Sequence, residues 1–272
     1  MKKTTLLSIA ILTFLQAGMA QRFYIGVSAG RNMPLSKTTA GLFSITDLTM
    51  DSVGAYTYTG QSVSFYQGKS ADATLGYKIT NQIGVEVNYS NNTSESFYKN
   101  WLTTSDKQTS DISVRNWKIN PSVVFFIPIK KFELYSKMGV SFGKGILTNH
   151  MRYTEFGGDD YDYTREISLK QSLGTNAAIG CNYAVFNHLS INCELLTSTA
   201  SLITQKGTLT KYYMNGVDEL STLSIRNKEM VFKNQYYYNP AAPVDENSPR
   251  LANEDHYSLT GITFKLGIKY SF

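Results

Sequence analysis

After its first twenty residues this chain has no stretch approaching the roughly 20 apolar residues of a spanning helix. It has almost no helical periodicity either, so a helical membrane protein and a helical bundle are both excluded. Histidines number three and cysteines two, Cys181 and Cys193. The loops show no dense metal-ligand spacing. Asp159, Asp160 and Asp162 cluster beside Gly157-Gly158, but they lack the glycine and terminal glutamate of a calcium loop and read as solvated acids. Charged residues are 17% of 272, with a formal net charge of +5. That excess falls by two once Lys2 and Lys3 are removed, and the remaining basic residues do not cluster. Nucleic acid is therefore not an expected partner; anionic lipid headgroups could use the excess weakly.

Apolar residues at every second position are what the chain does have. From Gly261 to Phe272, Ile262, Phe264, Leu266, Ile268, Tyr270 and Phe272 share one face. Thr263, Lys265, Gly267, Lys269 and Ser271 share the other. Side chains alternate faces along a strand, so this is a strand with one apolar and one polar side. A soluble protein would bury the apolar side against a second sheet. Here the same strand recurs behind an export signal, which is the pattern of a transmembrane β-barrel. Residues 1–20 read as that signal: Lys2 and Lys3, the apolar run Leu6 to Leu15, and small residues at Gly18 and Ala20. The mature domain is expected to be 21–272. No cysteine follows the cut, which argues against a lipoprotein anchor.

Eight such strands are expected. The first is centred on Phe23, Ile25, Val27 and Ala29, and the second on Ala71, Ala73, Leu75 and Tyr77. The third carries Ile83, Val85, Val87 and Tyr89. The fourth is 111–126, with Pro121 predicted to give a bulge or weakened pairing. The fifth holds Phe132 and Leu134 to Phe142, the sixth Ala177 to Tyr183, the seventh Leu189 to Leu195, and the eighth is terminal. The stretches 31–63, 91–110, 147–165 and 202–255 read as long polar loops. Those at 79–82, 127–131 and 185–188 read as tight turns. Outer-membrane barrels have short periplasmic turns and long extracellular loops, so both termini are expected in the periplasm. The strand glycines Gly26, Gly30, Gly76, Gly84, Gly139, Gly143, Gly180 and Gly267 all take the polar face, where a small barrel is crowded. Aromatics gather at both strand ends, Phe23, Tyr77, Phe125, Phe132, Tyr183 and Tyr270 at one, Tyr89, Trp117 and Phe142 at the other.

The inward charges are mixed: Asp72, Glu86, Glu133 and Glu194 against Lys118, Lys137, Lys265 and Lys269. Buried charges must be paired, so a closed ion-pair network in the lumen is expected. Cys181 and Cys193 lie symmetrically about Asn187 on neighbouring strands, both facing outward. They read either as a cross-strand bridge or as two small lipid-facing residues. His188, Ser190 and Glu194 share a face and resemble the site of small barrel lipid A deacylases. But His188 sits in a turn on the periplasmic side, and six strand residues set Glu194 about 20 Å away. The longest loop holds Lys211-Tyr212-Tyr213 and Tyr236-Tyr237-Tyr238, which read equally as a binding surface or as loop packing. Thr222 to Phe232 alternates loosely, as an extension of neighbouring strands or an extra hairpin.

The export signal, the eight amphipathic strands, the loop alternation and the terminal Lys269-Tyr270-Ser271-Phe272 together resemble the small eight-stranded outer-membrane barrels typified by outer membrane proteins A and X. The tyrosine-rich composition suggests a Bacteroides-like lineage. The resemblance implies an all-β, eight-stranded antiparallel transmembrane barrel in the bacterial outer membrane. It implies that Tyr270 and Phe272 belong to the signal read by the barrel insertion machinery. Expected partners are outer-membrane lipid and lipopolysaccharide, plus a surface partner met through 31–63 and 202–255. No nucleic acid, cofactor, metal or catalytic residue is expected, and the chain is expected to be a monomer and not an enzyme. The expected role is structural and interactive. A small pore and a lipid-modifying enzyme are the alternatives.

Overall fold

The computed structural model describes residues 22–35, 46–50, 56–60, 64–235 and 243–272. The expected signal segment 1–20, most of 31–63 and Tyr236-Tyr237-Tyr238 lie outside these. The strands in chain order are β1 (Phe23–Pro34), β2 (Thr46–Met50), β3 (Tyr56–Gly60), β4 (Gly68–Lys78), β5 (Ile83–Ser94), β6 (Phe97–Leu102), β7 (Asp106–Ile129), β8 (Phe132–Glu155) and β9 (Asp160–Gln171). They continue as β10 (Gly174–Ala184), β11 (Leu189–Thr199), β12 (Ser201–Met214), β13 (Val217–Asp218), β14 (Glu229–Lys233), β15 (Arg250–Asn253), β16 (His256–Ser258) and β17 (Gly261–Ser271).

Eight of them close a ring. β1 pairs with β4, β4 with β5, β5 with β7, β7 with β8, β8 with β10, β10 with β11, β11 with β17, and β17 returns to β1. Every pairing in the ring is antiparallel, and closure leaves no sheet edge in this part of the molecule. The last backbone N–H, of Phe272, bonds the carbonyl of Phe23 at 3.0 Å, so the end of the chain is tied to its first described strand. The outer surface is that of a membrane-spanning barrel. Ile25, Val27, Leu75, Val87, Phe125, Met138, Ile179 and Ile268 are all exposed on it. At one end Phe23 lies against Tyr77, Phe132 against Tyr183, and Tyr270 against Phe272, with ring centroids 4.7–5.2 Å apart.

The eight predicted strands all form, but two of the four predicted loops, 91–110 and 147–165, are largely sheet, and 202–255 also carries strands. β7 and β8 are each 24 residues long, about 80 Å at strand rise. About 9–11 tilted residues cross a membrane, so more than half of this hairpin exceeds the membrane-crossing length. Within 91–110, β5 runs on to Ser94 and β6 pairs with β7. Within 147–165, β8 continues to Glu155, turns, and returns as β9. Within 202–255, β12 pairs with β9 along its length and also with β14 and β16. β9 leads directly into β10, and β11 into β12, so each pair is one tall strand with a brief break. Thr222 to Phe232 is not one extended segment: a helical turn, α1 (Ile225–Lys228), comes before β14.

Pro121 weakens pairing without shifting it. β5 pairs continuously past it through Val87, while the β7–β8 ladder skips Asn120 and Pro121 and resumes in the same register. Proline lacks the donor, and Gly139 lies so close that a Cβ there would sit 2.1 Å from the Pro121 carbonyl oxygen.

Candidate functional site

The inside of the barrel is layered. At the end bearing the termini, Tyr24, Val124, Phe126 and Tyr135 form a buried apolar floor. Tyr24 and Tyr135 are inward positions of β1 and β8, and each ring lies over a glycine. A Cβ on Gly76 would fall 2.0 Å from Tyr24 Cζ, and one on Gly180 2.3 Å from Tyr135 Cζ. That is the crowding the strand glycines relieve.

A chain of five charges rests on this floor. Lys137 Nζ, from β8, sits 2.7 Å from Glu86 Oε1 on β5 and 2.7 Å from Glu194 Oε2 on β11. Lys265 Nζ, from β17, lies 3.8 Å from Glu194 Oε1 and 2.8 Å from Asp72 Oδ1 on β4. The order Glu86, Lys137, Glu194, Lys265, Asp72 thus ties five strands together across the interior. The tyrosine hydroxyls below serve two of the three carboxylates: Tyr24 donates to Glu86 Oε2 at 3.1 Å and Tyr135 to Glu194 Oε2 at 2.9 Å, while Asp72 Oδ2 has no hydrogen-bond partner. All five charged residues are buried.

The other three predicted inward charges, Lys118, Glu133 and Lys269, make no ion pair with these five. Lys269 stands over the rings of Tyr24 and Tyr135, 4.4 and 5.0 Å from their centroids. Lys118 lies 5.4 Å from the Tyr66 ring centroid. Both are cation–π placements. Glu133 sits at the floor end, ion-paired with Lys78 and accepting from Asn182 Nδ2 at 2.9 Å. Sequence reasoning missed Lys78, although it continues the inward series Gly76, Lys78 and so carried the signal. The free space among the central groups is about 10 Å³, the room of about one water.

Above the charges, Asn32, Tyr66 and Thr263 are joined by hydrogen bonds of 2.7 and 2.8 Å. Higher still the interior becomes apolar. Phe65, Ile112, Val114, Leu147, Ile167 and Leu169 pack there with Leu202, Met230, Phe232, Tyr257 and Leu259. The strands thus reverse their pattern outside the membrane belt, from polar-in to apolar-in. Sequence reasoning missed this core. Its signal is plain in β9, where Ile167 and Leu169 alternate with Glu166, Ser168 and Lys170.

The remaining candidates do not assemble. His188 Nδ1 is 2.8 Å from the Ser271 carbonyl, Ser190 donates to the Lys269 carbonyl at 3.4 Å, and Glu194 belongs to the lumen chain. Cys181 and Cys193 are directly opposed in the β10–β11 register, and both are free thiols. Asp162 lies 2.7 Å from His150 Nε2 and 3.3 Å from Arg152 Nε, and Asp159 accepts from Asn215 Nδ2 at 2.8 Å. Among the described residues no group of three or more His, Cys, Asp and Glu side chains is placed to hold a metal ion. Tyr212 stacks near Tyr161, itself near Tyr153, along the outer part of the tall hairpins.

The class this geometry defines is an eight-stranded membrane-spanning barrel with a filled interior and a tall extramembrane wall. No protein-family model matches the chain, and no curated protein matches it. Solved structures with a similar strand arrangement include the outer membrane protein OprG from Pseudomonas aeruginosa, at 14% identity and TM-score 0.44, covering 93% of this chain and 97% of that one. Neisserial surface protein A is similar at 13% identity and TM-score 0.37, covering 92% and 97%. The Escherichia coli outer membrane protein W is similar at 16% identity and TM-score 0.35, covering 94% and 100%. At these values the likenesses carry no argument about role; the barrel rests on the chain's own strand register.

Proposed function

We propose that the chain is a bacterial outer-membrane barrel whose role is to present its extramembrane wall to partners, with both termini in the periplasm. One observation carries this reading. Across its middle the lumen is filled, by an apolar floor, a charge layer and an apolar core above, while most of the described fold outside the membrane is sheet. Eight strands leave an interior that side chains just fill, which disfavours the pore alternative. The lipid-modifying alternative finds no support in His188, Ser190 and Glu194, each held by a different partner. Outer-membrane lipid and lipopolysaccharide would meet the exposed apolar belt, and the insertion machinery would read Tyr270 and Phe272.

Planar-bilayer recording tests the reading. The purified chain is expected to insert without steady conductance steps. Regular, voltage-stable currents would replace it with the pore alternative.

A further inference from the structure

Basic residues do not cluster along the chain, but strand register gathers three of them at the foot of the extramembrane wall. Arg115 of β7, Lys144 of β8 and Lys170 of β9 lie on adjacent strands, and all three are exposed. Arg115 shares its outward face with the belt residue Trp117, and Lys144 shares its own with Phe142. Lys170 alternates with the buried Leu169 and Gln171. Lys144 faces Trp117 across the β7–β8 ladder and Lys170 directly across the β8–β9 ladder. Arg115 faces Ile146, which sets it diagonally from Lys144. Arg115 stands two positions beyond Trp117, and Lys144 two beyond Phe142, about 7 Å along each strand. Trp117 and Phe142 belong to the outer aromatic belt, so the three cations stand at the level of the lipid headgroups.

Like charges directly opposite one another in a sheet are destabilising, and no protein carboxylate offsets these. Among the described residues, none of the three side chains makes a hydrogen bond or an ion pair. On β7 and β9 the next outward carboxylates, Asp111 and Glu166, each lie four positions farther out, roughly 13 Å. Arg31, outward on β1, shows the contrast, since it is ion-paired with Glu95. A second observation concerns distribution. The outward faces of β10, β11 and β17 carry no charged residue at all; above their apolar runs stand Thr175, Thr197 and Thr199. The cations therefore mark one side of the barrel and are not a general solubilising coat. Below them the surface is apolar, with Phe142 exposed and Leu173 75% exposed.

We propose that Arg115, Lys144 and Lys170 bind the phosphate monoester of an acylated outer-leaflet glycolipid, a lipopolysaccharide, whose acyl chains lie along Phe142 and Leu173. A phosphate monoester carries about −1.5 to −2 charge at neutral pH with several strong acceptor oxygens. That matches two opposed ammonium groups and one guanidinium fork, which binds phosphate oxygens in pairs. A lipid is the source because the cations open sideways onto the apolar belt, where a soluble phosphate has nothing to cover the exposed Leu173. The inference deepens the reading of a barrel that meets outer-membrane lipid, and it rests on the orientation given there.

The test uses the mature chain carrying Trp101→Phe, in maltoside micelles. Trp117, opposite Lys144, is then the sole tryptophan. Lipopolysaccharide is titrated against its emission. A saturable change is expected, shifted at least fivefold to higher concentration by Arg115→Gln and at least tenfold by Lys144→Gln with Lys170→Gln. Lys69→Gln removes an outward cation of β4 and is expected to leave the curve in place. Equal shifts from Arg115→Gln and Lys69→Gln would show diffuse attraction and overturn the site. Lipopolysaccharide stripped of its phosphates is expected to give no saturable change; an undiminished response to it overturns the phosphate. Inorganic phosphate, compared with chloride at equal ionic strength, is expected not to displace the lipid, and displacement would assign the site to a solute. Boiled and unboiled mobility is run on every sample, and protease is added to intact cells. Loss of the heat shift in the parent sinks the barrel reading. A wall that protease cannot reach from outside sinks the orientation, and the outer-leaflet lipid with it. Loss of the lipid response in a chain that passes both checks sinks the phosphate site alone.

Discussion

Lys137 is the residue on which the lumen turns. It alone touches both Glu86 and Glu194 at 2.7 Å, in surroundings nearly closed to water. Removing one partner of a buried pair leaves an uncompensated charge, a loss of about 3–5 kcal/mol. Lys137→Met is therefore expected to lower the unfolding free energy of the barrel, measured by urea titration in detergent, by that amount. Adding Glu86→Gln and Glu194→Gln is expected to restore most of it; a triple variant no more stable than the single would mean the charges are not coupled. Tyr257 makes a different point at this scale. Burial, and then the Asp255 carboxylate beside it, raise the pKa of its hydroxyl above the ordinary tyrosine range. A raised folded value favours the protonated form, so its contribution is complete below about pH 10 and is lost as pH climbs through the higher folded value. Tyr257→Phe should remove one tyrosine's worth of 295 nm absorbance from the late part of an alkaline titration. An unchanged late phase would show Tyr257 to be ordinary.

The elements show why the barrel was legible and the wall was not. Within the membrane belt one face meets lipid and the other a polar lumen, so alternation is sharp and eight strands stand out. Outside it both faces of β7 and β8 carry polar side chains over long stretches, as in Asp106 to Ser110 and Asn149 to Glu155. Composition then resembles a loop, while the order comes from ladder hydrogen bonds that composition does not report. The lumen charges were legible by parity alone; their partners were not, because parity gives a face and not a height. One local signal was present and unused. Asn215-Gly216 joins β12 to β13 with φ of 52° and 79°, and Met214 pairs with Val217. This is the Asn-Gly two-residue hairpin. A β-branched residue at φ +79° is strained by about 1–2 kcal/mol. Gly216→Val is therefore expected to speed protease cleavage at this tip on intact vesicles while leaving the barrel's heat shift unchanged. Equal cleavage rates would mean the turn does not hold the tip.

At the scale of the molecule, two cores are stacked on one set of strands. The lower one is polar inside and apolar outside; the upper is apolar inside and polar outside. The inversion falls on β7 between Asn116 and Val114, and on β8 between Gly145 and Leu147. A strand that changes sense in this way fits a chain crossing from lipid to water, because the solvent on its outer face changes while the inner face must stay packed. The account stands on ring closure between β1 and β17, which makes the lower part a barrel and not two packed sheets. Electrophoretic mobility in detergent, unboiled against boiled, tests that most directly. A closed barrel resists the detergent until heated, so the account predicts a compact band that shifts on boiling. A single band at one position with and without heat, from a chain recovered in the soluble periplasmic fraction, would contradict it and leave a sandwich whose apolar faces pack on each other.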